Sequence, residues 1–237
     1  MTQGSNGTPW PPFIGVDIGQ KRDPTAIAVV EMEERERVGT KRKDRHFLVR
    51  FLQRLAAGSS YPEIARRLGE ICHQVRKQRG CHPEIYVDAT GLGQPVVQLF
   101  TEQAPDCERV RAVYFTHGDR RTESTEENTV TLGKAFLVAR LQTLLQCNCL
   151  HLPATPEARA LAQELDEYEV RVDENANERY GAFRVGTHDD LVTALGLAVQ
   201  IDHPWYGELN LRRSDFSGIG PPSLDEILRD SFGSAFG

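Results

Sequence analysis

The stretch Phe13-Ile-Gly-Val-Asp-Ile-Gly-Gln-Lys-Arg-Asp-Pro-Thr-Ala-Ile-Ala-Val-Val30 indicates the fold class of this chain. It holds two short apolar runs, at residues 13–18 and 26–30, and Pro24 interrupts the chain between them. Two β-type runs separated by a turn segment predict a β-hairpin. Asp17 lies inside the first run, where an unpaired carboxylate would be costly, so its presence there requires an explanation.

Outward from this hairpin, apolar runs and helical periodicity alternate along the chain. Strands are predicted at residues 13–18, 26–30, 46–52, 84–89 and 110–115. Helices are predicted from Pro62 onward and at residues 95–103, 132–145, 156–168 and 191–199. Residues 117–128 predict a polar loop, and residues 169–172 and 182–185 predict a small extra hairpin. This order of strands, loops and helices is typical of an α/β fold.

The composition is that of a soluble globular protein, with 237 residues of which 39% are hydrophobic and 26% are charged. No apolar run approaches the roughly 20 residues that a membrane-spanning helix needs, and residues 1–12 lack the apolar core of a signal peptide. Five widely spaced cysteines indicate reduced thiols rather than a disulfide framework. We therefore expect a cytoplasmic protein without membrane association, organised as a flexible leader (1–12), one domain (13–203) and a C-terminal tail (204–237).

The charge is unevenly distributed. A net charge of −6 argues against a protein that coats nucleic acid indiscriminately. Residues 35–54 nevertheless contain eight basic and two acidic residues, a pattern that could bind a polyanion, although a solvated hairpin tip is the commoner outcome. The candidate polyanion contacts are Lys41, Arg42, Lys43 and Arg45 in this segment, with Arg120 and Arg121 in the polar loop as a second group.

Four acidic residues stand at the ends of predicted elements. Asp17 interrupts the first strand, Asp88 lies near the end of the fourth, and Asp189 and Asp190 open the last apolar helix. Carboxylate oxygens are the ligands that Mg²⁺ and Mn²⁺ prefer, and one bridging carboxylate can hold two ions about 3.5–4 Å apart. Each acid alone has a structural explanation, either a turn hydrogen bond or a helix cap. Their joint occurrence in one short α/β chain favours a shared metal site, with Asp17 as the candidate bridging ligand.

Three motifs carry a resemblance to a known family. They are residues 13–30 quoted above, Tyr86-Val-Asp-Ala-Thr-Gly-Leu-Gly93, and His188-Asp-Asp-Leu-Val-Thr-Ala-Leu-Gly-Leu-Ala198. In this order they resemble the nuclease domain of the large terminase subunit of tailed bacteriophages, which belongs to the RNase H-like superfamily. The resemblance spans roughly residues 13–201.

The resemblance implies an RNase H-like fold with a mixed central sheet of about five strands flanked by helices. It also implies a two-metal-ion endonuclease that uses Mg²⁺ or Mn²⁺ to cut double-stranded DNA during viral genome packaging. The catalytic, metal-binding acids would be Asp17, Asp88 and either Asp189 or Asp190. Lys134 is similar to a basic position at the start of the family's long helix, and it is a candidate DNA contact or a solvated lysine. A separate packaging ATPase, the small terminase subunit or the portal would be the protein partners, in the cytoplasm of the host cell.

Two features depart from the family's pattern. Thr193 stands one turn into the last helix, where relatives often carry a further acid. The chain also lacks a phosphate-binding loop, because Gly133-Lys134 is followed by Ala135. We therefore expect ATP-driven translocation to come from another domain or another protein.

Several other functions are compatible with parts of the sequence. A structure-specific nuclease of the resolvase type would share the superfamily and the acids. Residues 15–19 also resemble the first phosphate-binding turn of actin-like and sugar-kinase ATPases, although those proteins usually need two such halves. A non-catalytic binding module would not need the acids at all. A zinc site is a weaker alternative, because Cys147, Cys149 and His151 would share a face if extended but no Cys-x-x-Cys pair completes the ligands.

Overall fold

A computed structural model of the chain describes residues 10–19, 23–37, 43–118, 120–172, 178–181 and 188–200. The predicted tail at 204–237, most of the predicted leader, and both Lys41 and Arg42 lie outside the described residues. Within the described ranges, no helix is both long enough and apolar enough to cross a membrane.

One mixed sheet of eight strands forms the centre of the described chain. The strands are β1 (Phe13–Asp17), β2 (Thr25–Glu36), β3 (Lys43–Leu55), β4 (Glu84–Asp88), β5 (Arg109–Thr116), β6 (Arg121–Ser124), β7 (Thr129–Gly133) and β8 (Leu150–His151). They lie in the order β6-β7-β5-β4-β1-β2-β3-β8. β2 and β6 run antiparallel to their neighbours, and the remaining neighbouring pairs are parallel.

Five helices accompany the sheet in the described part of the chain. They are α1 (Tyr61–Arg79), α2 (Gln94–Gln103), α3 (Lys134–Gln146), α4 (Pro156–Glu167) and α5 (Asp190–Ala198). α1 begins after Ser60, whose side chain and that of Glu63 cap each other's backbone N–H groups, and Pro62 stands in its first turn. All five helices were predicted from the sequence. Each predicted helix end lies within two residues of the observed one, and for α1 only the start was predicted.

The sheet has more strands than the five that were predicted. The extra strands are the β6–β7 hairpin, part of which lies in the predicted polar loop 117–128, and the two-residue strand β8. β6 consists of Arg-Thr-Glu-Ser and has no apolar alternation. Its strand conformation depends on backbone pairing with β7, which single-sequence periodicity does not reveal.

The sheet separates two apolar layers, so the molecule is an α/β/α sandwich. α3, α4 and α5 pack on one face, where their apolar side chains share a core with Phe13 and Tyr86. α1 and α2 pack on the other face, with Val16 and Val87 in that core. The fold class predicted from the sequence is therefore confirmed.

α5 lies unusually close to the centre of the sheet, and Gly15 of β1 makes this possible. A Cβ atom at Gly15 would lie 1.9 Å from the carbonyl oxygen of Ala194 and 2.6 Å from the backbone nitrogen of Ala198. Because only a glycine leaves room for the helix backbone, α5 can cross directly over β1. This contact brings the acidic start of α5 near the end of β1.

The extra hairpin exists but uses a different second strand. β9 (Glu169–Val172) pairs with β10 (Glu178–Gly181), with Glu169 opposite Gly181. The sequence prediction placed the second strand at residues 182–185, which lie outside the described residues.

Candidate functional site

Asp17 and Asp88 end two neighbouring parallel strands. β1 and β4 pair up to Val16 opposite Val87, and each acid is the next residue along its strand. Side chains alternate between the faces of a strand, and Val16 and Val87 belong to the core on the α1 and α2 face. Both carboxylates therefore point to the opposite face, where α5 packs.

Asp189 and Asp190 begin α5 on that same face. Asp189 is the N-cap residue, and its carbonyl oxygen accepts the first helical hydrogen bond from the backbone N–H of Thr193 at 2.9 Å. Its side chain makes no capping hydrogen bond to the helix. The carboxylate of Asp189 instead lies near β10, since a Cβ atom at Gly181 would lie 2.8 Å from Oδ2 of Asp189.

These acids line one cavity of about 390 Å³ at the carboxyl ends of β1 and β4. The polar residues of its wall are Asp17, Asp23, Asp88, Asp189, Asp190, Lys134, His188 and Thr193. Among the described residues, five carboxylates thus share the cavity with one lysine, so this part of the wall is strongly acidic. Thr193 occupies the place one turn into α5 and contributes a hydroxyl oxygen instead of a further carboxylate.

The acidic wall changes the pKa of Asp17 most. Burial raises the pKa of this carboxyl well above its ordinary value, and the negative charges of Asp88, Asp189 and Asp190 raise it further, while Lys134 opposes them. The pKa of Asp88 is raised too, chiefly by burial. A cation in this cavity would offset both effects.

The strand and turn around Asp88 fix the direction of its side chain. Oδ1 of Asp88 accepts a hydrogen bond of 2.8 Å from the backbone N–H of Thr90, and the Thr90 hydroxyl in turn accepts one of 2.9 Å from the N–H of Phe115. The turn that follows β4 therefore uses one oxygen of Asp88.

Asp190 is almost fully buried and is held by a cation from β3. Its Oδ1 accepts hydrogen bonds from Nε and Nη2 of Arg54, at 2.9 and 2.6 Å. Its Oδ2 is buried and has no hydrogen-bond partner among the described residues. A buried carboxylate oxygen without a partner is costly, and a cation ligand would remove the cost.

The donor set fits a divalent cation of the Mg²⁺ or Mn²⁺ type, because it consists of hard carboxylate oxygens with one orphaned buried oxygen among them. Within the described residues, no three His, Cys, Asp or Glu side chains are arranged so that they could hold an ion. Like charges repel, so carboxylates without a cation are expected to lie farther apart than ligated ones.

The described part of the basic segment at residues 35–54 is the end of β2 and nearly all of β3. Acids that precede Arg35 on β2 pair with two of its cations: Lys43 lies 3.6 Å from Glu34, and Arg50 lies 2.9 Å from Glu31. Arg45 is half-buried and its guanidinium lies over the ring of Trp10. The other candidate contacts of this segment, Lys41 and Arg42, lie outside the described residues, so its role as a DNA contact stays a prediction.

The second group of candidate contacts divides in two. Arg120 is exposed at the surface. Arg121 has a side chain only 7% exposed, and its Nη2 donates to Glu123 at 3.2 Å. Lys134 is the first residue of α3, lies over the ring of Phe115 and faces the acidic cavity. Among the predicted cations that the structure describes, Lys134 therefore lines the cavity and Arg120 is exposed.

Three charged residues of the site were missed from the sequence: Asp23, which lines the cavity, Arg54 and Glu164. Arg54 was counted within the basic segment, yet it reaches the start of α5, and Glu164 of α4 joins it there. A signal for Glu164 existed, because it follows the buried Leu161 at helical spacing and so lies on the apolar face of α4. An acid on such a face indicates a buried partner.

The residues of the weaker zinc alternative do not converge on a common ligand. Nε2 of His151 lies 2.8 Å from Nδ1 of His46 and 3.3 Å from Nη1 of Arg35. The Cys149 thiol contacts the carbonyl oxygen of Cys147, and Cys147 is exposed. These contacts join β2, β3 and β8, and they do not form a metal site.

A mixed sheet in this strand order, with acids ending two adjacent strands and an acidic helix start across from them, defines an RNase H-like α/β fold. Solved structures that share this fold with the chain include large terminase nuclease domains. The nuclease from thermophilic phage G20c, with bound magnesium, is 19% identical over 79% of each chain with a TM-score of 0.54. The large terminase nuclease domain of a Thermus phage is 18% identical, over 79% of this chain and 77% of that one, with a TM-score of 0.52. The human cytomegalovirus terminase nuclease domain is 12% identical, over 88% of this chain and 92% of that one, with a TM-score of 0.54.

At these identities the similarity establishes a shared fold. No protein-family model matches the chain. No curated protein sequence matches it either. The fold that the resemblance implied is confirmed, while the roles of the individual site residues stay predictions.

Proposed function

We propose that this chain is a divalent-cation-dependent endonuclease that hydrolyses phosphodiester bonds of double-stranded DNA during viral genome packaging. The observation that carries the proposal is the raised pKa of Asp17, a strand-end carboxyl that burial and three neighbouring acids disfavour as an anion. A protein does not retain such a cluster for stability, because uncompensated buried charge destabilises the fold. The fold shared with terminase nuclease domains, one of which has bound magnesium, supports the same function.

The proposed ligands are Asp17 and Asp88 with Asp189 or Asp190, and the proposed cofactor is a pair of Mg²⁺ or Mn²⁺ ions. When bound, such ions lower the pKa of an attacking water and offset the charge that develops on the leaving oxygen. Asp17 is the proposed bridging ligand, since the three other acids all act on its pKa. Asp190 would contribute Oδ2, because Arg54 already uses Oδ1.

The remaining residues of the cavity wall would orient the DNA backbone. Lys134 is a cation whose charge already stabilises the ionised forms of Asp17 and Asp88. We propose that its Nζ contacts a phosphate oxygen next to the cleaved bond. Thr90 keeps the carboxylate of Asp88 in one direction through its backbone N–H, which limits the motion of this ligand when DNA arrives.

Binding of the duplex would depend on phosphate contacts, of which Arg120 and Lys134 are the leading candidates. Such contacts give steep salt dependence and little sequence preference. The proposed partners are double-stranded DNA and, in the cytoplasm of an infected host cell, a packaging ATPase, a small terminase subunit or a portal.

The test is cleavage of supercoiled plasmid by the purified chain in Mg²⁺, Mn²⁺, Ca²⁺ or EDTA. We expect nicking and linearisation in Mn²⁺ and Mg²⁺ and none in EDTA. Asp17→Asn and Asp88→Asn should each lower the rate by more than about 100-fold, since each removes a proposed ligand.

Asp106→Asn is the matched control, because Asp106 is an acid paired with His73 and Arg76 outside the cavity. It should retain the full rate. Undiminished cutting by both ligand variants would refute the proposal. A strong preference for four-way junctions over plain duplex would instead assign the chain to the resolvase type.

A further inference from the structure

The start of α5 is stabilised by a residue from another helix. One carboxylate oxygen of Glu164, Oε2, accepts hydrogen bonds from the backbone N–H groups of Leu191 and Val192, at 3.0 and 3.1 Å. Helices usually satisfy these N–H groups with the side chain of their own N-cap residue. Here that residue is Asp189, whose side chain makes no capping bond. Glu164 therefore takes over the capping role, and the carboxylate of Asp189 is not used for it.

Arg54 joins this cap to the acid cluster. Its Nη2 donates both to Oε1 of Glu164 and to Oδ1 of Asp190, and its Nε donates to the same Oδ1. The side chains of Glu164 and Asp190 are 7% and 8% exposed, whereas that of Arg54 is 30% exposed. Two buried carboxylates therefore share one guanidinium across β3, α4 and α5.

This arrangement fixes which oxygen of Asp190 can meet a ligand. Because Arg54 occupies Oδ1 with two donors, rotation of the carboxylate is restricted. Oδ2 is buried and has no hydrogen-bond partner among the described residues, and Asp190 is one of the residues that line the cavity. Groups that hold a metal ligand in this way commonly change metal affinity when they are mutated.

We infer that Arg54 and Glu164 are positioning residues of the proposed ion site: Glu164 caps α5 in place of Asp189, and Arg54 holds Asp190 so that Oδ2 faces the cavity. This inference rests on the proposed function. In this inference, neither Arg54 nor Glu164 touches the substrate. They act through Asp189 and Asp190.

Electrostatic repulsion and positioning predict opposite effects of removing Arg54 on cation affinity, which makes the inference testable. The guanidinium of Arg54 offsets part of the negative charge of the acid cluster. If charge alone mattered, removing this guanidinium should strengthen cation binding. If Arg54 positions Asp190, its removal should weaken cation binding although the cluster becomes more negative. The sign of the change distinguishes the two effects.

The first experiment is a Mn²⁺ titration of the full chain without DNA, with free Mn²⁺ followed by electron paramagnetic resonance. We expect Arg54→Gln to bind Mn²⁺ about tenfold more weakly than the wild type. Arg54→Lys keeps the charge but has a single donor group for two carboxylates, so its affinity should lie between those two. Arg54→Gln leaves the buried carboxylates of Glu164 and Asp190 without their charged partner, which is strongly destabilising. If that variant fails to fold, Arg54→Lys still tests the inference.

Arg50→Gln is the matched control. Arg50 is on the same strand, and it forms an exposed ion pair with Glu31 that does not involve the acid cluster. It makes the same change in net charge and should leave Mn²⁺ affinity unaltered. Tighter or unchanged binding by the Arg54 variants would overturn the positioning role, while failure of the wild type to bind Mn²⁺ would overturn the proposed function and this inference together.

The second experiment is hydrogen exchange at the start of α5 in the ion-free protein. Glu164→Ala removes the oxygen that accepts from both amides, so exchange of the Leu191 and Val192 amides should accelerate about fivefold or more. Glu164→Gln retains an oxygen that can accept from the same amides, so its exchange should stay close to the wild type. Exchange that Glu164→Ala leaves unchanged would overturn the capping role, whatever the outcome of the Mn²⁺ titration.

Discussion

Asp17 and Asp88 lie side by side at the carboxyl ends of β1 and β4, each one residue beyond the last paired positions of the two strands. Both carboxylates turn to the face that α5 covers, and Gly15 lets α5 approach closely enough to bring its acidic first turn to the same cavity. The candidate site thus depends on the packing of one helix against one strand as much as on the acids themselves.

Neutralising Asp17 should stabilise the ion-free protein. The folded state raises the pKa of this carboxyl above its ordinary value of 3.8, so folding takes up a proton and the ionised acid lowers the free energy of unfolding at neutral pH. Asp17→Asn should therefore raise the melting temperature in EDTA at pH 7. The gain should shrink as the pH falls through the raised folded-state pKa and vanish below about 3.8, where both states are protonated.

Thermal melting of the wild type and Asp17→Asn between pH 4 and pH 8 would measure this, and added Mn²⁺ should stabilise the wild type alone. A lower melting temperature for Asp17→Asn at pH 7 in EDTA would contradict the expectation, since it would mean that the carboxylate is well paired without an ion.

A methyl group at Gly15 should disrupt the contact between β1 and α5. The added Cβ would meet backbone atoms of Ala194 and Ala198, which cannot move without displacing the helix. We expect Gly15→Ala to lower the free energy of unfolding by about 3 kcal/mol or more. Chemical denaturation is the measurement.

Gly80→Ala serves as its control. Gly80 ends α1 with a φ of 71°, and a Cβ there would meet no atom within 4 Å. Its cost should be limited to the backbone conformation, about 1 kcal/mol. Equal losses for both variants would show that close packing at Gly15 is not the decisive factor.

Arg120 and Arg121 should behave differently although they are neighbours in the sequence. Arg120 is exposed, so Arg120→Ala should weaken binding of duplex DNA, reduce the salt dependence by about one counterion and leave the stability unchanged. Arg121 is paired with Glu123 and nearly buried, so Arg121→Ala should lower the melting temperature and leave DNA affinity close to the wild type. Fluorescence anisotropy in Ca²⁺ at several salt concentrations, beside thermal melting, would compare them. The reverse pattern would remove Arg120 from the proposed interface.

The contact between His46 and His151 should make stability sensitive to mild acid. Burial lowers the pKa of both imidazoles, and Arg35 lowers them further, so the unfolded chain binds these protons more tightly than the folded one. Their contribution to stability is fully present above about pH 6.5 and is lost as the pH falls toward the folded-state values.

The free energy of unfolding should therefore decrease between pH 7 and pH 5, and His151→Gln should flatten that dependence. His117→Gln, at an exposed position just after β5, is the control and should keep the wild-type slope. Identical slopes in all three proteins would exclude this pair as the cause.

Much of the fold could be predicted from local patterns. The hairpin at residues 13–30, the capped start of α1 at Ser60 and the apolar run of α5 are each set by neighbouring residues, because propensity, capping and periodicity act over a few positions. β6 was missed since its four polar residues become a strand only through pairing with β7. The pairing of Lys43 and Arg50 was not visible in residues 35–54, because their acidic partners Glu34 and Glu31 precede that window on β2.

The sequence by itself determined that acids end two strands and open a helix, because an acid within an apolar run is visible without a structure. Only the tertiary structure decided that these acids line one cavity, that Arg54 turns to Asp190 and that Glu164 caps α5. The physical reason is that charge compensation depends on distance in space, and the chain segments that supply it are far apart in the sequence.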